Sequence, residues 1–126
     1  MKKFKTKEYH KHHCGFVYCC IVYPNESAPY LKIGYSSQPD LRASQLESNS
    51  KLSCSLLDVW QCESQSAAKA LEYEVHQHLN HYKHQTGYWT RESFRRGCYS
   101  SLQAFMRTQH DNIIRVYKNS KIVIES

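Results

Sequence analysis

Residues 15–37 read GFVYCCIVYPNESAPYLKIGYSS, and no other stretch limits the fold as much. Two runs rich in Val, Ile and Tyr, 15–23 and 30–36, flank a connection that holds Pro24 and Pro29. β-Branched and aromatic residues at this density favour strands. Two prolines remove amide donors and make the connection a loop rather than a tight turn. The expectation is an antiparallel hairpin whose partner strands lie about 5 Å apart, so that residues opposite each other share a face. Tyr18 on the first strand and Lys32 on the second are the residues that a plain core would not ask for.

The rest of the chain alternates between the two periods. Ser36-Ser37-Gln38-Pro39-Asp40 has the polar residues, proline and early acid of a helix start. That helix is expected to run to about Ser48 with Leu41 and Leu46 inward. In 52–62, Leu57, Val59 and Gln61 alternate with Leu56, Asp58 and Trp60, so both faces are partly apolar, as in a central strand. From Ser64 to about Tyr82, one helical stripe holds Ala67, Ala68, Leu71, Val75, Leu79 and Tyr82. Thr86-Gly87 breaks it. A helix over 91–107 is expected next, with Phe94, Cys98, Leu102, Phe105 and Met106 inward. Residues 113–124 are β-like, and Asn119-Ser120 offers the turn of a C-terminal β-hairpin. The order predicts an α+β domain with helices packed on a small sheet. It divides into an N-terminal arm (1–13), the domain proper (14–110) and a C-terminal β extension (111–126).

Composition narrows the class. A length of 126 residues suits one domain with its own core. The longest apolar run, Phe16 to Tyr23, has eight residues. A membrane span needs about 20. The lysine-rich start does not resemble a secretory signal, so a cytoplasmic protein with no membrane partner is expected. Cys14, Cys19, Cys20, Cys54, Cys62 and Cys98 form no C-x-x-C pair, and they read as reduced, small apolar residues. The net charge is +6, of which the first 13 residues carry +4 and the rest +2. A basic arm of that kind favours a polyanion such as nucleic acid.

Four short motifs, in order, then carry a resemblance. Gly15-Phe16-Val17-Tyr18, Leu31-Lys32-Ile33-Gly34, Arg42, and Ala70-Leu71-Glu72 with His76 resemble the GIY-YIG nuclease superfamily. The likeness is to its small phage-type branch, which writes the second half-motif K-I-G, and it covers roughly residues 15–94. It implies a three-stranded antiparallel sheet flanked by helices, and a DNA endonuclease that uses one divalent metal, Mg²⁺ or Mn²⁺. By that resemblance Tyr18 is the general base and Lys32 favours its phenolate. Arg42 holds the scissile phosphate. Glu72 is the one protein ligand of the metal, Tyr35 is a second phenol near the phosphate, and His76 is an accessory residue. Two positions depart from the pattern. Leu46 stands where some relatives have His or Tyr, and Gly87-Tyr88-Trp89-Thr90 lacks the acid of a G-E-W-F turn.

These residue types suit the reaction. A phosphodiester gains negative charge on its oxygens in the transition state, and Arg, Lys and a metal ion supply the opposite charge. A free tyrosine, with pKa about 10, is a poor base at neutral pH and needs cations nearby. The alternative is a non-catalytic nucleic-acid- or protein-binding module on the same fold. The other histidines (His78, His81 and His84 around the second helix; His10, His12 and His13 before Cys14) match neither H-E-x-x-H nor a C-x-x-C zinc pattern.

Overall fold

The computed structural model describes residues 4–6, 14–25, 27–84, 92–109 and 111–124. The elements in chain order are β1 (Gly15–Tyr23), β2 (Tyr30–Ser36), α1 (Pro39–Ser50), β3 (Ser53–Cys62), α2 (Gln65–His78), β4 (Ser93–Arg95), α3 (Tyr99–Arg107) and β5 (Ile113–Lys118). Single 3-10 turns follow α2 and precede α3. The α+β expectation holds. The sheet has five strands, not three, in the order β4-β2-β1-β3-β5, and all pairs are antiparallel. The expected three-stranded unit, β2-β1-β3, lies at its centre.

Each added strand corrects an expectation. The helix expected over 91–107 is α3 alone, preceded by β4 and a 3-10 turn. β4 has three residues, too few to show a period of two, and pairing with Tyr30–Lys32 of β2 decides its conformation. The C-terminal segment makes one strand, β5, which joins β3. Asn119 ends it, donating its backbone N–H to the Leu57 carbonyl. Residues 122–124 form no strand among the described residues.

The two sheet faces bury different layers. Val17, Cys19, Ile21, Leu31, Ile33, Leu57 and Trp60 pack beneath α2 and α3. Phe16, Tyr18, Cys20, Val22, Tyr30 and Val59 face Leu46 of α1 and Phe4. Cys19 and Cys20 divide between these layers, as strand alternation requires, and all six cysteines are buried and free. Of the two leucines expected inward on α1, Leu46 is fully buried and Leu41 is 54% exposed. Five residues turn a helix by about 140°, so the two cannot share one narrow face.

Local chemistry sets the helix ends. Pro39 stands in the first turn of α1, and Lys51 ends it in the left-handed region at φ 63°. Ser64 caps α2 by accepting the Ala67 N–H at 3.0 Å. A Cβ on Gly15 would lie 2.7 Å from the Gln65 Cα, so only glycine lets the start of α2 sit this close to β1. Within the stretch read as an arm, Phe4 is buried against Phe16 and Tyr117. Thr6 donates its backbone N–H and hydroxyl to the Asp40 carboxylate. Residues 1–3 and 7–13, with +3 of the arm's +4 charge, lie outside the described residues.

Candidate active site

The hairpin register places Tyr18 opposite Gly34. Strand alternation then puts Tyr18, Lys32 and Gly34 on one face, the face that α1 covers. Lys32 Nζ donates to the Tyr18 hydroxyl oxygen at 3.2 Å, and its charge sits 5.3 Å from the ring centroid. Gly34 makes room for both. A Cβ there would lie 2.7 Å from Tyr18 Oη, 2.9 Å from Cζ and 3.2 Å from Lys32 Nζ. The glycine of the K-I-G motif is thus a steric requirement of the phenol, not of a turn.

Arg42 comes from the first turn of α1, where its N–H bonds to the Gln38 carbonyl. Its guanidinium lies beside the phenol and favours the phenolate, yet burial dominates and pushes the Tyr18 pKa well above the ordinary tyrosine range. Cys20 and Glu92 add to that rise. Tyr18 is 1% exposed and therefore a neutral phenol at physiological pH.

β4 governs the other side. Its ladder with β2 spans Tyr30–Lys32, Ile33 still donates its N–H to the Glu92 carbonyl at 3.0 Å, and no strand among the described residues pairs with the rest of that edge. α2 supplies side chains to that edge. His76 Nε2 donates to the Ile33 carbonyl at 2.8 Å, since a carbonyl oxygen can only accept. Burial lowers the His76 pKa, which favours the neutral ring, and the bond to Ile33 places a proton on Nε2. Its other nitrogen, Nδ1, lies 4.0 Å from Glu72 Oε1. Glu72, one turn earlier on α2, approaches the Tyr35 backbone amide, which favours its ionised form. Burial and the nearby Glu92 carboxylate outweigh this and raise the Glu72 pKa to about 7.

The expected residues do not all arrive together. Tyr18, Lys32, Arg42 and Glu72 converge, and His76 positions the Glu72 turn. Tyr35 pairs with Val17, on the opposite parity to Tyr18, and is 37% exposed. Its backbone, not its ring, reaches the group. Sequence reading missed Glu92, whose Oε2 lies 2.7 Å from Lys32 Nζ. Lys32 is 0% exposed, and Glu92 neutralises it. The only signal was the missing acid at 88, which could have prompted a search for a displaced carboxylate a few residues on. His78 and His81 pack on Phe105 and Tyr82. Among the described residues no group of three or more His, Cys, Asp or Glu side chains is set to hold a metal; His10, His12 and His13 lie outside them.

The residues fit a hard divalent cation nonetheless. Glu72 Oε2 is buried and has no hydrogen-bond partner among the described residues. A buried acceptor without a donor is costly, and Mg²⁺ takes oxygen ligands and settles for one or two carboxylates plus substrate phosphate.

Comparison with known proteins settles the kinship. The model of the T5orf172 domain matches residues 15–117, from the start of β1 into β5. The chain belongs to the T5orf172 domain family. The matched span contains every residue of the convergent group, and membership agrees with a nuclease-like or DNA-related role for this T5orf172 domain. No curated protein and no solved structure matches the chain. No helix among the described residues is long and apolar enough to cross a membrane.

Proposed function

We propose that this T5orf172 domain is a metal-dependent endonuclease of GIY-YIG type that hydrolyses DNA phosphodiester bonds. One observation carries the reading: a phenol, two cations and the Glu72 carboxylate, distant in sequence, come together around the C-terminal part of β2. Arg42 grips the scissile phosphate through its planar donor fork. Lys32 fixes the Tyr18 oxygen by donating to it, which leaves the phenol's own proton for another partner. Tyr18 takes a proton from the attacking water as general base once added positive charge offsets its burial. A Mg²⁺ or Mn²⁺ ion held by Glu72 supplies that charge when bound. His76 keeps the Glu72 turn seated on β2 by its bond to Ile33.

The test is plasmid cleavage with Mg²⁺ or Mn²⁺. Wild type should nick or cut, and Glu72→Ala and Arg42→Ala should each lose roughly 10²-fold or more, the scale of removing a catalytic group. Undiminished cleavage by Glu72→Ala overturns the reading. DNA binding with steep salt dependence and no cleavage would mark a binding module instead.

A further inference from the structure

Lys32 is a fully buried ammonium, and Glu92 answers its charge at 2.7 Å. If neutralising Lys32 were all that Glu92 does, a second acid close by would be a burden. Yet Glu72 is there, with a buried oxygen that no donor satisfies among the described residues. Backbone geometry brings the two acids to one place. Ile33 donates its N–H to the Glu92 carbonyl at 3.0 Å and accepts from His76, one turn after Glu72, at 2.8 Å. The backbone of Glu92 and the side chain one turn after Glu72 are thus anchored to the same residue of the β2 edge, and the two carboxyls lie close enough to interact. Lys32 and Arg42 bring two positive charges against two carboxylates and an incoming phosphate.

We propose that Glu92 is a second protein ligand, so that Glu72 and Glu92 together seat the divalent cation. The proposal rests on the metal-dependent reading above and changes it from one carboxylate to two. A carboxylate has about four lone-pair sites, so the bond from Lys32 to Oε2 does not exhaust Glu92. Its side chain is 29% exposed, which leaves it a route to solvent ions that buried Lys32 lacks. Mg²⁺ is commonly bound by one or two carboxylates with waters and substrate phosphate completing its shell, which matches a pair without a third acid.

The experiment is Mn²⁺ binding to DNA-free full-length protein, followed by calorimetry and by the paramagnetic resonance of free Mn²⁺. Glu72→Gln and Glu92→Gln should each weaken binding by about tenfold or more, at least the loss seen when partners of metal ligands are removed. Glu74→Gln, on the exposed side of α2, should bind as wild type does. A second measurement needs no variant. With ¹³C-carboxyl-labelled glutamate in wild type, Mg²⁺ should shift the Glu72 and Glu92 side-chain signals along one binding curve. Glu92→Gln with wild-type Mn²⁺ affinity overturns the proposal, as does a Glu92 signal that stays put while Glu72 moves; Glu92 is then only the counterion of Lys32. Those outcomes leave the nuclease reading standing. Conversely, metal binding through both acids with no DNA cleavage removes the nuclease reading and keeps this one.

Discussion

Replacing Glu72 by Gln should make the metal-free protein more stable above neutral pH. Glu72 is only 15% exposed, beside Glu92, and its pKa rises from 4.5 to about 7. Between those values the folded state keeps a proton that the unfolded chain has released. Stability of wild type therefore falls as pH rises through this window. Each pH unit corresponds to about 1.4 kcal/mol, so the interval amounts to about 3.5 kcal/mol at most. Glutamine has nearly the same shape and nothing to ionise, so it escapes that penalty. Urea denaturation in EDTA, followed by circular dichroism, should show equal stability near pH 4.5 and a gain of about 2–3 kcal/mol for Glu72→Gln at pH 8. A variant equal to or weaker than wild type at pH 8 refutes the reasoning, because Glu72 would then be a satisfied carboxylate rather than a strained one. A stabilised but inactive variant is the pattern expected where a site is built for chemistry at the expense of the fold.

Two further substitutions probe different parts of the molecule. Gly34→Ala should cost cleavage roughly 10²-fold by displacing Tyr18 and Lys32, a loss on the scale of a 1 Å error in a reacting group; its far-ultraviolet spectrum should match wild type, and full activity would show that the phenol need not lie over residue 34. Buried Asp58, on β3, accepts from Tyr99 Oη at 2.6 Å, Gln103 Nε2 at 3.3 Å and Arg115 Nη1 at 3.0 Å. Tyr99→Phe should destabilise by about 1.5–3 kcal/mol, the worth of a hydrogen bond to a charged group, measured by urea denaturation at pH 7; no change would mean that Gln103 and Arg115 satisfy the carboxylate by themselves.

The hairpin, α2 and the central position of β3 were readable because each carries its own period over many residues. Tyr18, Lys32, Arg42 and Glu72 were readable as a group because hairpin pairing and helix spacing are local rules, and the family likeness placed the helices around them. β4 was not. Ser93-Phe94-Arg95 is too short for a period, and Phe94 fits a helical stripe with Cys98 and Leu102 as well as it fits the strand. Only its partner across the sheet decides. Glu92 had only the acid missing at 88 to point to it, since its role follows from where β4 lies. Tyr35 follows the glycine in sequence, and it is its backbone that approaches Glu72. The strand's alternation sends its ring to the other face.

The short ladder of β4 has one more consequence. An edge that runs unpaired beyond its neighbour ordinarily invites another chain to add itself. Here the His76 imidazole takes the Ile33 carbonyl and the Glu92 carbonyl takes its N–H, so this stretch of edge offers no template to a stray strand.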